Sequence, residues 1–220
     1  MRTVIFDLDG TLADTTGDLI AAANGCFRDM GLGDVLDPVQ DRALSLLGAR
    51  VMLRRGLERL DRYDADVVAR YYPVFLETYG EAIDVQTYLY PGAIEAVEAL
   101  KSAGYGVGVC TNKTAPLAEL LLVRLGIRDM FASVVGAGML EARKPDPEPL
   151  REAARRAGGD PAQCVLIGDS DTDRDTARNA GVPCVLVTFG PSGEDMAALQ
   201  PEALLDHFDD LPALVPQLIG

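Results

Sequence analysis

The chain has a single histidine, His207, close to its C-terminal end. Triads built on imidazole and histidine-rich metal sites are therefore excluded. Cysteine is also sparse. Cys26, Cys110, Cys164 and Cys184 are scattered, with no Cys-x-x-Cys or metal-type spacing among them. Three of the four sit in or beside apolar, strand-like runs, which predicts buried, reduced thiols in a cytoplasmic protein. No apolar stretch approaches the ~20 residues of a membrane span. The apolar run Thr3-Val4-Ile5-Phe6 follows no basic segment, so neither a signal peptide nor a membrane partner is expected. Basic residues are few, with 20 Lys and Arg against 34 Asp and Glu and a formal net charge of −14. The arginines between Arg50 and Arg62 alternate with Leu, Met and Glu at helical spacing, as on a solvated helix face, and no cluster is long enough to predict a nucleic-acid partner. An acidic protein that binds an anion must compensate locally, with a metal ion or a few placed cations.

What is present is enough for a core of ordinary size. The chain has 220 residues, 48% hydrophobic and 25% charged, which allows one large α/β domain or a core with a smaller partner. Arg2 to Phe6 reads as a short buried strand that stops at Asp7-Leu8-Asp9-Gly10. The stretch from about Asp14 to Tyr79 is helical, with Leu19, Ile20, Ala23 and Phe27 at helix spacing, then Leu44, Leu47, Val51 and Leu57, then Val67, Val68, Tyr71, Phe75 and Tyr79. Pro73 predicts a kink or boundary in the last of these. After Tyr90-Pro91-Gly92 helices alternate with short strands at Gly106–Cys110, Ser133–Val135, Cys164–Ile167 and Cys184–Val187. That alternation predicts a parallel sheet covered on both faces. The first strand has no partner until the later ones appear, so the helical stretch reads as an insertion. The fold class is α/β, a Rossmann-like parallel-sheet core formed by residues 1–14 and 84–220, interrupted by an all-helical domain over 15–83.

Four small constellations fall where a strand should end, and in open parallel sheets ligands bind at those carboxyl ends. In the first, Asp7 and Asp9 are two residues apart, a spacing that lets one carboxylate act as nucleophile and metal ligand and the other as general acid/base. The alternative is a Ca2+ loop or a plain Asp-Gly turn, but Thr11 and the residues after it do not supply the later ligands of an EF-hand. In the second, Thr111-Asn112-Lys113 offers a hydroxyl and backbone N–H groups to a phosphate oxygen, or simply caps a helix. In the third, Arg143-Lys144-Pro145-Asp146-Pro147 fixes a lysine on a proline-stiffened loop, where it can neutralise phosphate, or forms an ordinary turn. In the fourth, Gly168-Asp169-Ser170-Asp171-Thr172-Asp173 brings further carboxylates. Mg2+ takes one or two protein carboxylates and keeps several waters, a demand that Asp7 and Asp169 meet. Asp171 is accounted for by the preference of acidic side chains for a helix N-terminus.

In order and spacing these four motifs resemble those of the haloacid dehalogenase-like hydrolase superfamily, in its helical-cap branch. The resemblance spans nearly the whole chain and includes the cap-sized insertion and the return at Tyr90-Pro91-Gly92. It implies that Asp7 attacks phosphorus and that Asp9 protonates the leaving oxygen and later activates water. It also implies Mg2+ on the Asp7 carboxylate, the Asp9 carbonyl and Asp169. Thr111, Asn112 and Lys144 would then bind the phosphoryl group, with Asp173 behind Lys144 or a metal-bound water. Dehalogenases of the superfamily lack the second aspartate, so Asp9 argues for phosphoryl chemistry. The Asp7–Thr15 run, Thr111-Asn112-Lys113 and Phe208-Asp209-Asp210-Leu211 are similar to the phosphoglycolate phosphatases, whose partner is a small phosphate ester. Many members carry Gly-x-Gly where this chain has Gly48-Ala49-Arg50. Arg50 is a candidate to read a substrate carboxylate or, alternatively, one more exposed helix arginine. A sugar-phosphate phosphatase, a β-phosphoglucomutase-like mutase and a silent binding protein on the same scaffold are the competing readings.

Overall fold

The computed structural model describes residues 1–192 and 195–220. In chain order the strands are β1 Thr3–Phe6, β2 Ala13–Asp14, β3 Tyr88–Leu89, β4 Gly106–Thr114, β5 Ser133–Ala137, β6 Cys164–Gly168, β7 Cys184–Val187 and β8 Ala203–Leu205. The chain divides into two compact units, Met1–Ala13 with Leu89–Gly220, and Asp14–Tyr88.

The first unit is built on a sheet in the order β5-β4-β1-β6-β7-β8, and every neighbouring pair is parallel. The chain proceeds outward from β1 to β4 and β5, then returns to β6 on the other side of β1, so the order reverses beside β1. Ligands bind at such a reversal. All residues of β1, β6 and β7 are buried, because helices cover both faces and leave no polar side to alternate with. Ile5, Cys110, Leu166 and Leu186 meet Leu150, Ala153 and Ala177 in one cluster. Phe6, one position on and hence on the opposite face, packs its ring 6.4 Å from Phe131 and 6.5 Å from Phe208. The helices of this unit are Ala93–Ser102, Ala115–Arg124, Glu148–Arg156, Asp171–Ala180 and Leu211–Ile219. Burial holds the thiols of Cys110 and Cys164 up to about 12, and all four cysteines are free and buried.

The second unit contains α1 Thr16–Asp29, α2 Arg42–Ser45, α3 Ala49–Arg59 and α4 Ala65–Glu81. Phe27, Met52, Leu53, Phe75 and Tyr79 form its buried interior. Gly56 admits Phe27, since a Cβ there would lie 2.2 Å from the ring. Asn24 fastens the loop after α1, accepting from the Val35 and Leu36 N–H groups and donating to the Leu36 carbonyl at 2.8 Å.

Several local expectations are corrected. Pro73 does not form a boundary, since helix α4 continues through it from Ala65 to Glu81. Proline removes one hydrogen bond, but the burial of Val68, Phe75 and Tyr79 on either side outweighs a penalty of about 3 kcal/mol. The periodic stretch from Leu44 to Leu57 is two helices, broken before Gly48, whose φ is +92°. Strand β4 does not end at Cys110 but continues through Thr111, Asn112 and Lys113 to Thr114, with a register shift on the way. The second compact unit runs to Tyr88, and within it the buried Asp18 accepts the N–H groups of Gln86 and Thr87 and the Thr87 hydroxyl. Among the described residues, no helix is long and apolar enough to cross a membrane.

Candidate active site

The register that sets Phe6 opposite both Val109 and Ile167 places the residues following β1 and β6 beside the outer half of β4. Asp7 extends the ladder by one bond, its N–H donating to the Ile167 carbonyl at 2.8 Å. The chain then turns tightly, with the N–H groups of Thr11, Leu12 and Ala13 all directed at the Leu8 carbonyl, while buried Leu8 and Leu12 anchor the turn. Gly10 occupies the left-handed region at φ +85°.

Asp7, Thr111, Lys144, Asp169 and Asp173 are all buried. The Lys144 ammonium lies 2.8 Å from Asp7 Oδ1 and 2.6 Å from Asp173 Oδ1. The Asp173 contact is a hydrogen bond. The Asp7 contact is an ion pair outside hydrogen-bond angles, so Asp7 Oδ1 is a buried oxygen with no hydrogen-bond donor among the described residues. The other Asp173 oxygen accepts from the Ser170 hydroxyl at 2.6 Å and from the Asp169 N–H at 3.2 Å. Gly168 makes room for this folded-back side chain, since a Cβ there would lie 2.4 Å from Asp173 Cβ. Asp169 Oδ1 accepts from the Thr11 hydroxyl at 3.0 Å.

The extension of β4 positions the second motif differently from expectation. Thr111 Oγ1 accepts the Lys113 N–H at 3.1 Å. Asn112 is exposed and donates to the Lys144 carbonyl at 3.0 Å, fastening the loop that carries that lysine. Lys113, to which the sequence reading gave no task, donates to Asp9 Oδ1 at 2.7 Å, and its side chain is only 5% exposed. In an extended segment residues i and i+2 share a face, so Lys113 follows Thr111 toward the site. Thr11 and Ser170 were missed in the same way. Asp171 is exposed in the first turn of its helix. Arg50 belongs to the helical unit, where it is exposed and its guanidinium lies 3.9 Å over the Tyr72 ring.

The electrostatics are those of carboxylates crowded out of water. Burial pushes the Asp7 carboxyl up to about 6, with Lys144 pulling against it and Asp173 adding to it. Burial, reinforced by Asp173 and Asp7, holds Asp169 well above the ordinary carboxylate range. Burial opposes the charge of Lys144, but Asp173 and Asp7 outweigh it and hold the ammonium above its usual range. Four carboxylates, Asp7, Asp9, Asp169 and Asp173, face two ammoniums, Lys113 and Lys144. The excess of two negative charges is what one divalent cation neutralises. Oxygens of Asp7, Asp169 and Asp173 lie within 4.8 Å of one another. Both Asp173 oxygens are already engaged, which leaves Asp7 and Asp169 as the carboxylates for a cation. An all-oxygen donor set suits Mg2+ rather than a softer metal.

Residues 4–187 match the family described as haloacid dehalogenase-like hydrolase. A phosphoglycolate phosphatase of Agrobacterium fabrum is 39% identical over 98% of this chain and 93% of its own. One from Mesorhizobium japonicum is 38% identical over 94% and 92%. The crystal structure of a predicted phosphoglycolate phosphatase from Haemophilus somnus superposes with a TM-score of 0.87 at 28% identity, covering 97% of both chains. The chain belongs to the haloacid dehalogenase-like hydrolases and is, with these relatives, a phosphoric monoester hydrolase.

Proposed function

We propose that this phosphatase is Mg2+-dependent and hydrolyses 2-phosphoglycolate through an aspartyl-phosphate at Asp7. The observation that carries the chemistry is the pairing of two carboxylates with two separate ammoniums at one strand end: Asp7 with Lys144 and Asp9 with Lys113. The substrate is taken from the relatives' activity and from the similar motifs.

In this reading an Asp7 carboxylate oxygen forms a bond to phosphorus as the ester P–O bond breaks. Asp9 donates a proton to the departing oxygen, releasing glycolate. Asp9 then takes a proton from a water that attacks phosphorus, so that phosphate leaves and the Asp7 carboxylate is restored. Lys144 and the Thr111 hydroxyl hold the phosphoryl oxygens where charge accumulates, with Asn112 supporting the Lys144 loop. Asp173 fixes Lys144. Arg50, on the helical unit, is retained as a candidate for substrate selection. Mg2+ would be held by Asp7, the Asp9 carbonyl and Asp169, and supplies charge neutralisation for the phosphoryl group. The buried free thiols suit a reducing cytoplasm, and the partner is a small phosphate ester rather than nucleic acid or membrane.

Rapid quenching of enzyme with substrate, followed by peptide mass analysis, tests the nucleophile. One phosphoryl group on the Asp7 peptide, absent in Asp7→Asn, is expected. A phosphorylated Asp7→Asn variant with near-native turnover would refute the assignment.

A further inference from the structure

The two ammoniums of the site serve different carboxylates. Lys144 is committed to Asp7 and Asp173, the nucleophile and the carboxylate behind it. Lys113 is bonded to Asp9 Oδ1 at 2.7 Å, the group assigned to the leaving oxygen. Whatever is attached to the ester oxygen must therefore enter the neighbourhood of the Lys113 ammonium. In an ester of glycolate, one methylene separates that oxygen from a carboxylate. Asp7, Asp9, Asp169 and Asp173 repel such a group, so it needs a local cation. An ammonium has three donors and can bridge two carboxylates.

We propose that Lys113 is the specificity-determining residue on the core unit. Its ammonium would read a carboxylate one carbon from the ester oxygen, so that the site selects short phosphomonoesters of 2-hydroxy acids. This rests on the reading of Asp9 as the proton donor to the leaving oxygen. Lys113 is well placed for the task. Its backbone lies in β4 and its N–H is tied to Thr111 Oγ1 at 3.1 Å. Its side chain is 5% exposed, so solvent weakens its attraction far less than that of a surface lysine. A sugar hydroxyl in the same place would accept a weaker bond, since it brings no charge of its own to the ammonium.

The test compares kcat/KM of the wild type, Lys113→Met and Lys113→Arg on 2-phosphoglycolate and on ethyl phosphate, the same kind of ester without the carboxylate. Lys113→Met is expected to lower kcat on both substrates, because Asp9 loses its partner, and to lose about a further 10- to 100-fold on 2-phosphoglycolate alone, chiefly through KM. Lys113→Arg, which keeps the charge, should recover part of the loss. An equal loss on both substrates, or no loss on either, would overturn the assignment while leaving the proposed activity standing. A wild type with no preference for 2-phosphoglycolate over ethyl phosphate would overturn both.

Discussion

Gly10 and Asp169 share space that no side chain could enter. A Cβ at Gly10 would lie 2.2 Å from Asp169 Oδ2, and the backbone there has φ +85°. Gly190 packs closely here as well, since a Cβ there would lie 3.1 Å from Asp169 Cβ and 3.3 Å from the Gly10 carbonyl oxygen. The turn after β1 and the carboxylate after β6 are thus fitted to each other.

Gly10→Ala should therefore displace the Asp169 carboxylate. Displacement by about 1 Å at such a site costs roughly a hundredfold in rate, and the strained φ costs about 1–3 kcal/mol of stability. Steady-state kinetics and urea unfolding read the two effects separately. Native kcat in the alanine variant would mean that Asp169 need not stand where it does.

Asp173→Asn removes one of the two charges that hold Lys144. Outer partners of this kind are worth about 10- to 100-fold in activity, and the weakened buried pair should lower stability by about 1–3 kcal/mol. A loss in kcat exceeding the change in KM is expected, because Lys144 would be misplaced on the transferring group.

Chelation should stop turnover, and Mg2+ should restore it. The same ion should also be visible without any substrate. At about a hundred times its Kd it stabilises the folded state by ~2.7 kcal/mol, raising Tm. In Asp169→Asn that rise should shrink sharply. An unchanged Tm on adding Mg2+ to the wild type would contradict a cation site at Asp7 and Asp169.

Acid should weaken the helical unit through Asp14. Burial raises this carboxyl, but hydrogen bonds from Thr16 and Tyr88 and the charge of Arg42 prevail and hold it below its ordinary value. The Thr16 hydroxyl lies at 2.6 Å and the Tyr88 hydroxyl at 3.0 Å. A depressed folded pKa contributes stability above the unfolded value of about 3.9. That stability is lost as pH falls through the folded value. Unfolding measured from pH 6 downward should show a steeper acid loss in the wild type than in Asp14→Asn.

Arg50→Ala should cost about 0.5–1 kcal/mol, the worth of an exposed cation over the Tyr72 ring. A KM increase confined to 2-phosphoglycolate would give Arg50 a share in carboxylate recognition. KM values unchanged from the wild type on both substrates would leave it with the ring contact alone.

Much of the core was legible because its causes are local. Thr3-Val4-Ile5-Phe6 reads as a buried strand since both its faces are covered, and Asp7, Asp9 and Gly10 declare a carboxylate turn by spacing. Asp169 and Asp173 are likewise set by the four-residue step into a helix. What escaped depends on partners distant in sequence. Strand β8, Ala203–Leu205, has no β-branched residue and forms only by pairing with the edge at β7. The bond of Lys113 to Asp9 spans 104 positions, and it follows only once β4 is seen to continue past Cys110. Within the second unit, Asp18 captures the N–H of a residue 68 positions away, which no local pattern announces.

The most direct test is the initial rate of phosphate release with Mg2+ across small phosphomonoesters. The set should hold 2-phosphoglycolate, glucose 1-phosphate, glucose 6-phosphate, nucleoside monophosphates and pyrophosphate. The account predicts a kcat/KM for 2-phosphoglycolate about a hundredfold or more above the rest, equivalent to ~2.7 kcal/mol of selective transition-state binding. Flat, weak rates across the set, or a clear preference for a sugar phosphate, would contradict it.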